Sequence, residues 1–577
     1  MTGRKGQRGV AFLAAIILLV CFAGISVSLF YVSMADDREA RFNRDMLKAT
    51  TMAEASTEVA EKELLVAAAN YRIPPTAGDT VVDEQTVGYT IEPVGNQRIE
   101  TDSQGIQTIV QPYRIQAEAC SNGIFKRVEK IVDVKKTPIF QYLAFYDDDM
   151  EILPGPSMTV NGRIHSNHDI YIGCGGTLKI DSQSVQTAGN MYRRRKNDGS
   201  ASTGKVLIRV QDQANFVNME NKPDFTPPSV SGFDSDFTGF DANGDGDLDD
   251  AQDYQTWLLR SLQLWQGTVQ TGEHGVTQIE PPSVANIKMY VAEAGGDYVY
   301  DADSGTYEPV TPGTGDYGKG YFYGHSGLTI VDNRAYTADG TEITSWPDTN
   351  GDGKADNPIS EKTFYDGREN KNVKTTCVDL DVLGKSGYWP TNGLLYAARK
   401  DSTSAAPTGI RLNNGKVLAK PLTIVSPDPV YTKGDYNVGD ATHTKQPAAV
   451  ITDAFNILSN AWNDTKKAGT LPTATATTVN AAFISGSYVT KPGDYNGGFE
   501  NLPRFHEKWD GVTCRIRGSF VNIWDSDVGQ GQWVYGGDNY TAPNRDWNYD
   551  TDFNEFSKLP PFTPEVVTTT RVVWVSR

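Results

Sequence analysis

From Val10 to Val32 the chain carries no charged side chain, and at 1.5 Å per residue this apolar run reaches roughly 34 Å, enough to cross a bilayer core. It exceeds the h-region of an ordinary secretory signal peptide. The pattern then turns polar without turning irregular. Residues 33–72 are rich in Ala, Glu, Lys and Leu and meet neither Gly nor Pro before Pro74-Pro75, so one helix is predicted over residues 10–72, behind a basic leader at 1–9. Phe42, Met46, Ala49, Ala53 and Ala60 recur on it at helical spacing. This narrow stripe suits packing either against other subunits or against the chain's own ectodomain.

Past Pro75 the period shortens. Apolar and polar residues alternate over 80–137, as in Tyr113-Arg-Ile-Gln-Ala-Glu-Ala, and break at Ser121-Asn-Gly, which predicts a small antiparallel neck domain. Short strands with frequent turns follow over 138–215 and return over 391–577, in KPLTIVSPDPVY, AAVITDAFNILS and CRIRGSFVNIW. This cadence predicts stacked rungs, as one solenoid interrupted by an insertion at 216–390, or alternatively a sandwich. The expected fold is therefore mainly β with one long N-terminal α-helix, the ectodomain being β-solenoid-like or a β-sandwich with long Gly/Asp-rich insertions. The 55 Gly and 29 Pro exclude a helical bundle.

The formal net charge of −19 over 577 residues disfavours nucleic acid as a partner and favours cations and basic surfaces. Arg4, Lys5 and Arg8 precede the apolar run and Asp36 and Asp37 follow it, which puts the N-terminus in the cytoplasm and the bulk of the chain outside. Cys21 lies in the apolar run. The other four cysteines, Cys120, Cys174, Cys377 and Cys514, fit two disulfides of open pairing in an oxidising compartment, and no CxxC pair suggests zinc.

The stretch RKGQRGVAFLAAIILLV, followed by a polar helix containing AEAS, resembles the N-terminus of PilX-type minor pilins and related pseudopilin-like envelope proteins. FQYLAFYDDDMEILPGPSM, GGFENLPRFHEKW and YTAPNRDWNYDTDF resemble large PilX-like envelope proteins of Gram-negative bacteria. The resemblance implies cleavage between Gly9 and Val10, anchoring in the inner membrane with a periplasmic or extracellular ectodomain, and assembly with other pilin-like subunits through the N-terminal helix. Ala14 stands where major pilins carry Glu, which points to a minor, initiating or tip position, with a surface or host ligand as a further partner. The alternative is a stand-alone membrane-anchored surface adhesin, and a third reading, ranked below both, is a membrane-tethered polysaccharide-active β-helix enzyme.

Two aspartate-rich loops carry the clearest chemistry. Asp241, Asn243, Asp245 and Asp249 occupy positions one, three, five and nine of a calcium loop, with the Asp247 carbonyl at seven and Gly246 at six for the sharp turn. Position twelve is Gln252 rather than Glu, so Asp250 or Asp253 is expected to substitute. Asp348, Asn350, Asp352 and Asp356, with the Lys354 carbonyl, repeat the arrangement and resemble the loops of dockerins and thrombospondin type 3 repeats. The expected cofactor is structural calcium. Catalysis has little basis. His165 and His168 read as turn packing, Asp147, Asp148, Asp149 and Glu151 as an acidic turn, and GxSxG, HExxH and P-loop patterns are absent. Trp509, Trp524, Trp533, Trp547 and Tyr549 read as core aromatics, or alternatively as a carbohydrate- or partner-binding face. Asn544, Arg545, Asp546 and Asp550 are expected to latch the last β layer.

Overall fold

The computed structural model describes residues 6–577 except 103–104, 183, 201, 211–215, 220–240, 242–243, 249, 293–297, 302–305, 310–316 and 404. One helix, Gly6–Ala69, leads into a mainly β ectodomain. The helix's upper part packs on an antiparallel neck sheet. Met52, Ala53, Ala60, Leu64 and Ala68 sit against Val87, Tyr89, Ile115, Val128 and Val132, and the small residues let the helix approach the sheet closely.

The sheet runs Ala77–Val82, Gln85–Pro93, Gln107–Ser121, Ile124–Pro138, Glu565–Ser576, with Arg98–Thr101 beside the third strand. The chain's last strand thus completes its first domain, a partner that the expected 80–137 unit lacks. Glu565 faces Pro138, and Ile139 N–H donates to the Pro564 carbonyl (2.9 Å). Everything from 139 to 564 is an insertion between two neighbouring strands.

That insertion is a stack of parallel rungs, which decides between solenoid and sandwich. Its main sheet has eleven strands, and all but the terminal hairpin partner Arg334–Thr337 pair in parallel. The chain enters the stack at Ala144–Tyr146 and climbs through Ile164–Ser166 and Val185–Thr187 to Val269–Gln270 at one end. It then crosses to the far end at Leu328–Val331 and winds back through Leu394–Ala398, Leu422–Ser426, Ala448–Thr452 and Ala482–Ser485 to Phe520–Asn522, beside the strand where it entered. Two windings make one solenoid, and the second begins at Leu328, inside the segment expected to be wholly insertion.

Register explains the core. Leu328, Leu395, Ile424, Val450, Phe483, Phe520, Ala144, Ile164, Val185 and Val269 form one buried column along the main sheet. Phe483 stacks on Phe455 of the adjacent face (4.6 Å between ring centroids). The neighbouring column, from Tyr396 through Val425, Ile451, Ile484 and Val521 to Phe145, is buried as well, and the crossing segment covers it where the Tyr396 hydroxyl meets the Ile287 carbonyl. Strands buried on both faces need continuous apolar runs, which is why LLYAA and AAVIT do not alternate. Antiparallel hairpin strands at Arg334–Thr337, Ile359–Asp366 and Phe216–Asn218 close the exposed ends of the parallel sheets.

Phe483→Ala removes a ring from the middle of the inward column and should cost about 3–5 kcal/mol. The expected outcome is a clear fall in Tm of the detergent-solubilised chain, while Lys179→Ala, on an exposed outward position, leaves Tm unchanged.

Candidate functional site

All side chains from Val10 to Arg44 are exposed, and burial begins at Asp45. Among the described residues this is the one helix long and apolar enough to cross a membrane, and none of its apolar window is covered by the rest of the chain. Gly9 and Val10 lie near the helix start. The small-residue stripe divides. Ala49, Ala53 and Ala60 are fully buried and belong to the chain's own ectodomain, whereas Phe42 stays exposed. Higher up, the buried Lys130 ammonium pairs with Glu58 and Glu61, and Arg571 also reaches Glu58 (2.8 Å). The helix end is tied to the solenoid. Asn70 Oδ1 accepts from Ser283 N–H (2.9 Å) and Asn286 Nδ2 (3.1 Å), and Tyr71 stacks on Tyr321 (4.0 Å).

The two aspartate loops share one backbone. Asp241 accepts from the N–H groups of Gly244 (2.5 Å) and Gly246 (3.1 Å), and Asp348 accepts from Gly351 (2.6 Å) and Gly353 (2.7 Å). Gly244, Gly246, Gly351 and Gly353 all have φ between 80° and 90°, a left-handed conformation that glycine adopts without a Cβ penalty. Asp245 and Asp352 each accept from the N–H two residues on, that of Asp247 and of Lys354. Asn350 Nδ2 donates to Asp356 (3.2 Å), which also takes the Thr349 N–H and hydroxyl. Asn243 and Asp249 lie outside the described residues.

The expected substitution at position twelve is not what the structure places there. Asp250 caps the helix Ala251–Trp265, accepting from Gln252 and Asp253 N–H, and Asp253 is fully buried in that helix. Among the described residues no three His, Cys, Asp or Glu side chains converge as a metal-binding group. The loops' carboxylates face their own amides.

The catalytic candidates do not assemble. His165 is 1% exposed and stacked on Phe145 (5.2 Å), with its Nε2 against Asn167 Oδ1 (3.0 Å), and burial pulls its pKa down to about 4. Exposed His168 meets the Asp147 carbonyl, the Gln278 side chain (3.3 Å) and, at 3.8 Å, Asp148. Asp147 accepts from Asn167, Asp149 pairs with Lys196, and Glu151 is buried. Trp509 and Trp547 are core residues, Trp524 and Trp533 are partly buried, and Tyr549 is buried. Residues 544–550 form no single latch. Arg545 binds the Glu500 carbonyl (3.2 Å), Asp546 binds Arg515 and Arg517, and Asp550 takes Lys445.

The four cysteines expected in disulfides are free thiols. They lie on different elements, with Cys120 in the neck, Cys174 past Ile170–Ile172, Cys377 opposite Ser360 and Arg411, and Cys514 opposite Thr477 and Arg545, so no cysteine faces another across a ladder.

Three buried carboxyls escaped the sequence reading. Asp453 accepts from the N–H groups of Asp527, Val528 and Gly529 (2.5, 3.1 and 2.6 Å), Asp428 from Arg399 N–H (2.7 Å), and Glu500 from Leu153 N–H (3.2 Å). Burial pushes them up to about 6, about 7 and about 7 respectively. For Asp428 and Asp453 the signal was an acid shortly after a hydroxyl-terminated strand, in VSPD and ITD.

No family model and no curated protein sequence matches the chain. Among solved structures, the crystal structure of the competence-associated pilin ComZ from Thermus thermophilus aligns over 92% of this chain and 97% of that chain, at 9% identity and a TM-score of 0.22. That likeness is too slight to bear on fold or function.

The raised carboxyls set a pH dependence. Their folded values lie above their unfolded ones, so the stability they contribute is full below about pH 4 and is lost as pH rises through 6 to 7. Glu500→Gln should flatten the fall of stability between pH 5 and 8, by at most about 1.4 kcal/mol for each unit of its shift. Thermal melts across that range check it, and an unchanged slope would show that Glu500 titrates as an ordinary carboxyl.

Proposed function

We propose that the chain is a pilin-like minor subunit of a type IV pilus or related secretion filament, acting by structure and surface presentation rather than by catalysis. The observation that carries this reading is the continuity of one helix, apolar and bare over its first half and clamped to a β domain over its second. A bare apolar helix of this length is stable only in lipid or against other apolar helices. The charges flanking it, basic before and acidic after, support an ectodomain on the far side of the membrane. The exposed, unbroken stretch 33–44 leaves the helix accessible to neighbours above the membrane.

Mass spectrometry of filaments sheared from native cells tests the assignment. The expected result is recovery of this chain with an N-terminus at Val10. An intact leader, with the chain confined to the membrane fraction, would make it a stand-alone anchored adhesin instead.

The same reading includes structural calcium in the two aspartate loops. Its support is their shared left-handed glycines and oxygen-rich positions, and extracellular calcium is abundant enough to fill even weak sites. A ligand that binds only the native state raises its stability. A chelator should therefore lower Tm by several degrees, and Asp348→Ala should remove part of that response. A Tm indifferent to the chelator would dismiss calcium.

A further inference from the structure

The neck sheet has two free edges of opposite charge, and we infer that they dock on one another between copies of this chain, the basic edge of one subunit against the acidic edge of the next. This rests on the pilin-like reading for its membrane geometry and adds the surface through which subunits meet above the membrane.

One edge is the strand Ala77–Val82. Residues 77–93 carry Asp79, Asp83, Glu84 and Glu92 and no Lys or Arg. The other edge is Glu565–Ser576, backed by Ile124–Pro138. There Lys126, Lys135, Lys136, Arg571 and Arg577 outnumber Glu129, Asp133 and Glu565, in a chain whose net charge is −19. The sheet is thus polarised across its width. Complementary charge of this kind steers association and fixes which surfaces meet.

Both edges also offer apolar side chains and unpaired backbone. Val81 is 71% exposed on the acidic edge, and Val572, Val573 and Trp574 are 56%, 39% and 43% exposed on the basic one. Glu280 of the crossing segment pairs with Val567 and covers the basic strand's upper end, leaving its outer side open from Thr570 onward. A β-bulge between Arg571 and Val573 divides this stretch, so Val573–Ser576 is the segment regular enough to pair.

Direction and height match. Four successive antiparallel steps across the sheet leave the two edge strands running in the same sense. Subunits anchored in one membrane all point the same way, so the edges can meet as a parallel ladder. Lys48 reaches Asp83 (3.1 Å) beside one edge, while Glu58 reaches Arg571 (2.8 Å) and Glu61 reaches Thr569 (2.7 Å) beside the other. Asp83 ends the first edge and Arg571 lies partway along the other, so both edges run alongside residues 48–61 of the helix. The contact is heterologous, the kind that propagates into rings or helical filaments rather than closing as a dimer.

The test uses the full chain in membrane vesicles with Cys21 and Cys120 replaced by Ser, and a short bismaleimide. The expected result is that Thr80→Cys and Val573→Cys each give no dimer alone, the mixed single variants give a covalent dimer, and the double variant gives a ladder. Asp79→Lys with Glu84→Lys should cut the cross-linked yield about tenfold. Self-linking of Val573→Cys alone, or no product from the mixture, would overturn the inference. Processed chains in sheared filaments without edge cross-links would sink this contact and leave the pilin-like reading standing, and cross-links from chains with an intact leader would do the reverse.

Discussion

The pairing of Ile124–Pro138 with Glu565–Ser576 constrains everything above it. Because Pro138 and Glu565 are opposite one another, the solenoid must begin and end at the same place on the neck. A simple solenoid separates its ends by its whole length. This chain meets the constraint by starting in the middle of the stack, at Ala144–Tyr146, and finishing beside it, at Phe520–Asn522. The consequence is a long crossing segment, since the first winding ends at one extreme and the second must begin at the other. The insertion is the connection that lets a one-dimensional stack return to its origin.

The crossing segment in turn makes the main sheet a buried one. It runs over the outer face, where Ile279 exchanges hydrogen bonds with the Asn167 side chain and the Ile287 carbonyl receives the Tyr396 hydroxyl. With both faces covered, polar groups at strand ends must find partners inside. Ser426, Thr452 and Ser485 stand in register at those ends, and the Thr452 hydroxyl donates to the Asp428 carbonyl of the preceding turn (2.6 Å). Such side-chain bonds fix each rung's corner against the next, and the buried carboxyls at Asp428 and Asp453 belong to the same set of corner ties.

What was legible in the sequence was local. The charge-free run, the unbroken stalk and the Ser121-Asn-Gly hairpin follow from composition and turn chemistry within a few residues. The rung cadence was legible too, because parallel strands buried on both faces leave short unbroken apolar words. The join between the two windings was not, since no pattern within either indicates that Ala144 faces Phe520. The cysteines misled for a related reason. An even number beyond an apolar N-terminal helix suggests pairing, but spacing along the chain says nothing of which sheet each thiol occupies. At Asp250 and Asp253 a helix cap and a buried first-turn acid mimicked the end of a cation loop.

The same connections bear on how force passes from the ectodomain to the anchor. A domain joined to a stalk by one linker can pivot, but here the solenoid meets the neck and helix at several separated points. The chain crosses at Pro138 and again at Glu565, Asn70 holds Ser283 and Asn286, Tyr71 stacks on Tyr321, and Glu280 adds a bridge to Val567 on the neck's last strand. Each added contact restricts a pivot about the other connections. Below them the buried Lys130 binds the helix to the sheet through Glu58 and Glu61, where losing both partners would leave charge buried without compensation. A pull on the solenoid is therefore carried through the neck into the helix.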